Sequence, residues 1–276
     1  MTTHKYYLMR TQNALLWLGI AGLTLQLGNC ELFAEKQLNA KVDERVELTP
    51  DLPQIQRSLP GNGDQYCAPV SASNGLTWLA DQGYPNLMRT NQVDMARELG
   101  SPPFMNTSLK NGTGMKDVGL GLRRYVTTCG YEIMDLAYQS WRSKNRRSIR
   151  RISGHANPVQ IAKGIRNKSI VLLNIGWYKK RGTEYQRLSG HWVTLAGAEK
   201  AGTPILIIHD PAVRSPEGQH ERVTTKRMRT GELVGSDEYL PLSAKGAWQL
   251  GGELEMKTST GADTAILDGA IILRLK

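Results

Sequence analysis

The sequence predicts an α+β domain, with helices in the first half of the chain and antiparallel strands in the second. Apolar residues recur at helical spacing in three segments, and we expect helices starting at Cys67, at 91–99 and at 115–128. Three later apolar runs are bounded by turn-forming residues, and we expect strands at 169–178, 190–199 and 204–212. The sequence KAGT between the last two predicts a hairpin turn, which makes those strands antiparallel neighbours.

Local residues support these elements. Pro69 fits the first turn of the Cys67 helix, where its missing N–H has no partner to lose, and Gly83 ends that helix. A further strand is expected at 131–138 and a short amphipathic helix at 158–167. Residues 213–245 are polar and basic and predict a long surface excursion, after which strands at 247–257 and 269–276 return to the sheet.

Composition limits the classes of protein to consider. The chain has 276 residues, of which 40% are hydrophobic and 22% charged, which excludes a generally disordered chain. The formal charge of +10 favours anionic neighbours, but charge alone does not choose among nucleic acid, anionic lipid and envelope polymers. Three cysteines are too few for a disulfide scaffold, and cysteines and histidines match no zinc spacing, so no metal or cofactor is expected.

The N-terminus has the pattern of a targeting segment. Lys5 and Arg10 precede an apolar run at 14–25, which is shorter than the roughly 20 residues of a membrane span and suits a secretory signal. The alternative is a buried N-terminal helix. We expect residues 1–34 to be a signal peptide or lipoprotein signal, 35–59 a lead-in and 60–276 a single domain. The mature protein is then exported to the periplasm or outside the cell.

A cysteine follows this apolar run. Cys30 comes after LQLGN, which resembles a bacterial lipobox, in which small residues precede a lipidated cysteine. Asn29 departs from the glycine or alanine that is usual there. Two outcomes therefore stay open: a lipid anchor on Cys30, or simple cleavage nearby, for example after Ala34.

A basic segment follows the strand expected at 131–138. A functional interpretation is a surface that binds an anionic component of the cell envelope, and the alternative is a solvated connection. No aromatic platform or nucleic-acid motif accompanies the segment, so nucleic acid is not an expected partner. Its cationic residues are Arg142, Lys144, Arg146, Arg147, Arg150 and Arg151.

Three residues in different parts of the chain suit thiol chemistry. Cys67 begins a predicted helix, where first-turn N–H groups and the helix dipole stabilise a thiolate. His191 begins a predicted strand after Gly190, and Asp210 ends the next strand before Pro211. Each alone also fits a structural role, as a small core thiol, a core histidine or a turn carboxylate.

The predicted hairpin brings two of these residues together. In paired antiparallel strands, the start of the first lies beside the end of the second, so His191 and Asp210 are expected to be neighbours. The carboxylate can then fix the tautomer and orientation of the imidazole. That is the task of the third member in a nucleophile, base and orienter set.

The ordered segments YCAPVSASNGLTWLA, GHWVTLAG and HDPA resemble the papain-like cysteine peptidases, most closely the group that processes bacteriocin leaders. The resemblance covers roughly residues 60–215. It implies a papain-like fold, in which an N-terminal helix carrying the cysteine packs on an antiparallel sheet. It also implies a triad of Cys67 as nucleophile, His191 as general base and then acid, and Asp210 as orienter. The implied reaction hydrolyses a peptide or isopeptide bond through a thioester.

The sequence departs from this family at two places. Ala68 follows the cysteine where the family usually has glycine. The family also carries a glutamine for the oxyanion hole about six residues before the cysteine, and here that position is Gly61. Asn62 and Gln65 are the amides available to replace it, together with the backbone N–H of Cys67. Loss of one such donor reduces the rate by about 10²–10³-fold.

Three functions of different classes are compatible with these residues. The first is an exported thiol peptidase acting on a peptide or protein. The second is an acyl or γ-glutamyl transferase, because phytochelatin synthase is similar in its order of Cys, His and Asp. The third is a non-catalytic binding module for an anionic envelope component, which the missing glutamine at Gly61 favours.

Overall fold

The computed structural model describes residues 45–142, 149–165, 168–199, 203–212, 220–235, 241–256 and 260–276. The α-helices are α1 (Cys67–Asp81), α2 (Gln92–Gly100), α3 (Met115–Thr128) and α4 (Pro158–Ala162). Short helical turns lie at 45–48, Pro60–Gly63 and Pro85–Leu87. The helices expected from Cys67, at 91–99 and at 115–128 are confirmed, and Asn91 caps α2 by accepting the N–H of Asp94.

Within the described residues, ten strands form one mostly antiparallel sheet. Six of them close into a barrel in the order β3, β4, β5, β6, β9 and β10, because β10 pairs back with β3. The other four extend the sheet beyond the ring. The strands are β1 (Ile133–Ser140), β2 (Arg150–Ile152), β3 (Ser169–Arg181), β4 (Glu184–Glu199), β5 (Ile205–His209), β6 (Glu221–Arg227), β7 (Glu232–Val234), β8 (Leu242–Ser243), β9 (Trp248–Gly252) and β10 (Thr264–Leu275).

The predicted papain-like architecture, an α+β fold with a cysteine-bearing N-terminal helix packed on an antiparallel sheet, is wrong. The described chain is mostly antiparallel strand, and its sheet closes on itself as a six-stranded barrel with short helices. The closure depends on β6 and β9, which connect β5 to β10. An open sheet with one long helix across its face therefore does not describe this protein.

The strand that closes the barrel lies in the segment 213–245, which the sequence predicts as a surface excursion. In β6, Glu221, Val223 and Thr225 are buried and the residues between them are exposed. This alternation is that of a half-buried strand. Two of the three inward residues are polar, so a search for apolar periodicity does not detect it. Residues 213–219 and 236–240 of the segment lie outside the described residues.

The central hairpin of the barrel is longer than the sequence predicts. β3 and β4 pair from Leu172 opposite Thr194 to Arg181 opposite Glu184. The tight connection between them contains Gly182, whose φ of +60° suits a two-residue hairpin loop. β4 also pairs with β5 in the antiparallel manner expected, although most of the KAGT turn lies outside the described residues.

Two apolar cores lie on opposite faces of this hairpin. One core packs helices α1 and α3 against the sheet and includes Leu76, Leu122 and Trp192. The other fills the space between barrel strands and includes Val193 and Leu195. Successive residues of β4 therefore belong to different cores, as the period of a strand requires.

Residues Arg45–Lys276 form one compact unit, which includes the last part of the predicted lead-in. The backbone of Leu52 donates to Asn74 of α1, and the backbone of Gln54 donates to Pro211. The predicted signal segment, Cys30 and the lead-in up to residue 44 lie outside the described residues. Across the described ranges, every helix is too short or too polar to span a membrane.

Candidate active site

Cys67 is the first residue of α1, as the sequence predicts, and it is half-buried. Tyr66 occupies the N-cap position, and no side chain caps the helix there. First-turn N–H groups have no acceptor within their own helix and carry partial positive charge. Cys67 therefore lies where backbone donors favour a thiolate and can bind an oxyanion.

The turn before α1 is a fixed backbone structure. Gly61, Asn62 and Gly63 all adopt positive φ angles, of 61°, 55° and 85°. A side chain at Gly63 would overlap with the carbonyl group of Gln54. The side-chain amide of Gln54 donates to the carbonyls of Gly63, at 3.3 Å, and Asp64, at 3.0 Å. The glycines in GNGDQ thus let the chain enter α1 at one defined position.

Hydrogen bonds hold α1 against β4 next to the histidine. The Ser71 hydroxyl donates to the carbonyl of Trp192 at 2.9 Å, and the Thr194 hydroxyl donates to the carbonyl of Ser71 at 2.8 Å. All three residues are buried. These bonds lie one helical turn beyond Cys67 and on both sides of β4 residue 193, so they fix the helix start relative to His191.

His191 and Asp210 are bonded to each other, as the hairpin argument predicts. Nε2 of His191 lies 2.5 Å from Oδ1 of Asp210, which also accepts the backbone N–H of Ala212 at 2.8 Å. Asp210 directly follows β5, whereas His191 lies inside β4, opposite Ile175, and not at the strand start expected. With Nε2 engaged, Nδ1 is the ring nitrogen available to the sulfur of Cys67.

The surroundings of His191 favour its protonated form. Burial by itself lowers the pKa of His191, but the charge and hydrogen bond of Asp210 and the contacts with Cys67 raise it from 6.5 to about 10. The imidazole is therefore a cation at neutral pH. The three predicted residues are thus brought together in one cleft, a thiol, an imidazole and a carboxylate that orients it.

A cleft of about 910 Å³ contains all three residues. The Trp177 ring lies nearly parallel to the His191 ring, with centroids 6.4 Å apart and planes at 19°. Ile55 and Leu188 line the cleft although 44% and 43% of their surfaces are exposed. The cleft thus offers exposed apolar surface beside its charged residues.

The two amides predicted as oxyanion donors differ in position. Gln65 is half-buried and lines the cleft with Cys67. Asn62 is exposed in the left-handed turn, and its carbonyl accepts the N–H of Gln56. Of the two, Gln65 is therefore the side chain placed to assist the backbone N–H of Cys67. Gln54 also lines the cleft, but its amide group is engaged by the backbone carbonyls of the turn.

A second buried ion pair includes Arg187 of the cleft lining, and sequence reasoning did not predict it. Nε of Arg187 donates to Oδ2 of Asp268 at 2.6 Å, and the two side chains are 12% and 0% exposed. Oδ1 of Asp268 accepts from the Trp141 indole at 3.0 Å and from the Tyr178 hydroxyl. Burial and the Asp268 charge raise the pKa of Tyr178 well above its ordinary value, so its phenol stays a donor.

Two strand irregularities create this pair. Leu188 is an extra residue in β4 opposite β3, and Asp268 is an extra residue in β10 opposite β3. Such bulges redirect neighbouring side chains. Glycines make the space, because a side chain at Gly176 would overlap with Asp268 and one at Gly190 with Arg187. No sequence pattern predicts either bulge. Gly190 next to His191 is the one local indication that space is limited at this point of the strand.

Only part of the predicted basic segment can be described. Arg142 lines the cleft, and Arg150 forms a two-pronged ion pair with Asp135. Arg151 pairs within the sheet, opposite Tyr138 of β1. Lys144, Arg146 and Arg147 lie outside the described residues. Among the residues that the structure describes, no group of three or more His, Cys, Asp or Glu side chains is arranged to hold a metal ion.

Neither the comparison with protein-family models nor that with curated proteins gives a match to this chain. The chemistry of the cleft is therefore inferred from its own residues. Asp210 bonds the His191 imidazole, and Cys67 lies close enough to that imidazole to raise its pKa. Cys67 begins helix α1, and Gln65 lines the same cleft.

Proposed function

We propose that this protein is an exported thiol hydrolase that cleaves a peptide or isopeptide bond through a thioester acyl-enzyme. One observation carries the proposal: Cys67 lies beside an imidazole that a buried carboxylate holds by a hydrogen bond, within one open cleft. A structural cysteine has no need of such a partner. A cysteine that attacks carbonyls does, because its thiolate and the proton it releases must both be stabilised.

The acylation step uses each residue once. The Cys67 thiolate attacks the carbonyl carbon of the substrate, and the electron pair of the C=O bond moves to oxygen. The backbone N–H of Cys67 and the side chain of Gln65 donate to this oxyanion. When it collapses, the C–N bond breaks and the His191 imidazolium gives its proton to the departing amine. Asp210 keeps the imidazole oriented and stabilises its cationic form.

Deacylation reverses these roles. Neutral His191 removes a proton from water, whose oxygen attacks the thioester carbon. The C–S bond then breaks, the acid product leaves, and the thiolate and imidazolium are restored. Removing the orienting carboxylate would leave the imidazole free to rotate, and so affects both steps.

The cleft suits a peptide better than a small apolar ligand. Its volume of about 910 Å³ lies in the upper part of the range for ligand sites, roughly 300–1,000 Å³. Apolar Ile55 and Leu188 alternate with charged and amide side chains around it. A peptide presents the same mixture of apolar side chains and polar backbone.

Acetylation by 4-nitrophenyl acetate tests this proposal. The full chain should release a burst of nitrophenolate equal to the protein concentration, followed by slower turnover, and the peptide containing Cys67 should carry the acetyl group. Cys67→Ala should abolish the burst, and denatured protein should show no faster acylation than a free thiol. If native Cys67 reacts no faster than the denatured control at pH 6–7, the hydrolase proposal is refuted.

The same acyl-enzyme distinguishes hydrolysis from transfer. Addition of glycinamide as an amine acceptor should leave acetate as the main product if water resolves the thioester. Acetylglycinamide as the main product would assign the cleft to a transferase instead. No acetylation at all, combined with salt-sensitive binding to anionic polymers, would assign it to a binding module.

A further inference from the structure

The cleft contains a cation that the proposed reaction does not use. We propose that Arg187 binds a carboxylate of the substrate close to the scissile bond, so that the substrates are peptides or amides that carry an acidic group there. This inference rests on the proposed function, because the carboxylate is placed relative to the bond that Cys67 attacks.

The guanidinium group of Arg187 is held at the edge of the cleft. Its Nε donates to Asp268 at 2.6 Å, and its Nη2 lies against Gly190, the residue before His191. The side chain of Arg187 folds back along β4 toward His191. The extra residue Leu188 interrupts the regular alternation of side chains in β4 and so redirects Arg187. Arg187 and His191 therefore present their charged groups to the same cleft.

The pairing with Asp268 leaves one face of the guanidinium for a ligand. An arginine commonly binds a carboxylate through two parallel bonds, one to each oxygen. Here Oδ1 of Asp268 is occupied by Trp141 and Tyr178, and Oδ2 takes the Nε donor. Asp268 thus anchors Arg187 through Nε, whereas Nη2 lies beside Gly190, a residue of the cleft lining.

Charges are unevenly distributed around the cleft. Arg142 lines it and directly follows Trp141, which is bonded to the same Asp268 as Arg187. The acidic residues Glu221 and Glu255 and the oppositely charged Lys110 and Asp64 also line the cleft. Glu221 is paired with Ile208, two residues before Asp210. Arg187 therefore lies with Arg142 at the part of the lining next to Asp268.

A carboxylate is the group that this arrangement recognises best. A rigid, permanently charged guanidinium matches the planar geometry of a carboxylate, and charge-assisted bonds are about twice as strong as neutral ones. An amide of the same shape can accept one such hydrogen bond but carries no charge. Arg187 should therefore distinguish acids from their matching amides.

Alkylation of Cys67 by matched electrophiles tests the inference. Two pairs are used, iodoacetate with iodoacetamide and N-iodoacetylglycine with N-iodoacetylglycinamide, so that the carboxylate is offered at two distances from the sulfur. Rates at Cys67 are followed by mass spectrometry of its peptide in the full chain. Each acid-to-amide ratio is divided by the same ratio for glutathione.

The wild-type chain should prefer the acid in at least one pair, and Arg187→Gln should reduce that preference by about tenfold. His191 also attracts anions, so the loss in the variant, not the wild-type preference, reports Arg187. Arg222→Gln is the matched control, since Arg222 forms an ion pair with Glu199 on the surface. The control should keep the wild-type ratio.

A second variant covers the case in which Arg187→Gln does not fold. Arg187→Met combined with Asp268→Asn removes both buried charges, while the asparagine oxygen still accepts from Trp141 and Tyr178. It should lose the preference as well. If the folded variants keep the wild-type ratios in both pairs while Cys67 stays highly reactive, the inference about Arg187 is overturned and the thiol hydrolase stands. If Cys67 has no enhanced reactivity, the proposed function fails first.

Discussion

Two buried carboxylates, Asp210 and Asp268, each hold a cationic side chain of strand β4 that lines one cleft. Asp210 holds His191 beside Cys67, whereas Asp268 holds Arg187 four residues earlier. Their environments are alike, with the carboxylates 3% and 0% exposed. The difference lies in the cation, because an imidazolium can give up its proton and a guanidinium cannot. The first pair can therefore carry out proton transfer, and the second can only bind and position.

The largest expected difference between the pairs is in stability. Asp268→Ala should lower the free energy of unfolding by about 3–5 kcal/mol, because a permanent charge and two further donors lose their buried acceptor. Asp210→Ala should cost less, about 1–3 kcal/mol, since His191 can become neutral. Urea unfolding at pH 8 measures both values. Equal losses of unfolding free energy would show that stability does not depend on whether the paired cation can release its proton.

The next largest effect concerns the reactivity of Cys67. His191→Gln should reduce the rate of alkylation by iodoacetamide about 100-fold at pH 6, because an ordinary thiol is less than ~1% ionised there. The difference should shrink at pH 9, where ordinary thiols ionise by themselves. His220→Gln, the same change at an exposed histidine outside the cleft, is the control and should react like the wild type. Unchanged reactivity in His191→Gln would show that the imidazole does not influence the reactivity of Cys67.

Gly190 connects the two pairs and should be sensitive to substitution. In Gly190→Ala the new methyl group would overlap with Nη2 of Arg187, so the guanidinium must move. We expect a loss of about 1–3 kcal/mol in the free energy of unfolding, as for an overpacked site. Gly114→Ala serves as a control because a methyl group there meets only Asp117, at an ordinary distance of 3.6 Å. If both substitutions lower the free energy of unfolding equally, Arg187 moves away from the new methyl group without strain and the prediction is wrong.

The most gradual effect, spread over several pH units, is a dependence of stability on pH that only the His191 pair should show. The pKa of His191 is raised to about 10, so its stabilising contribution is complete below pH ~6.5 and is lost as the pH rises toward 10. The native state then holds the extra proton, and the free energy of unfolding should fall by up to about 1.4 kcal/mol per pH unit.

This slope is best measured in a Cys67→Ala background, where the thiol cannot supply a compensating proton. Adding Asp210→Asn should flatten the slope, because the main cause of the raised pKa is removed. The Arg187 pair should give no slope in this range, since a guanidinium keeps its proton. A slope that survives Asp210→Asn would point to another titrating group.

Local patterns in the sequence predicted where the candidate site residues lie better than they predicted the fold. Cys67 at a helix start depends on the residues next to it, and the proximity of His191 to Asp210 depends on one hairpin. Both are short-range features, which local sequence patterns can reveal. Barrel closure depends on β6 meeting β5 and β9, and its polar inward residues gave no apolar signal.

The second pair could not be predicted because it depends on register. Arg187 and Asp268 come from strands that do not pair with each other, and β3 lies between them. They meet because one extra residue in each strand shifts its side chains relative to the pleat. No residue type marks such a shift. Gly176 and Gly190 make room for Asp268 and Arg187, but this role can be recognised only once the register of the strands is known.

The folded-back position of Arg187 places a cation next to the backbone before His191, which is a useful feature for inhibitor design. Its Nη2 lies against Gly190, and the Cα atoms of Gly190 and His191 are separated by one peptide unit, about 3.8 Å. Because the barrel holds β4 between β3 and β5, this spacing does not depend on a flexible loop. An electrophile joined to a carboxylate through a short rigid linker should therefore engage Cys67 and Arg187 together, because both line one cleft. An unrelated reactive thiol without a neighbouring guanidinium would gain nothing from the carboxylate, so such a compound would select this cleft.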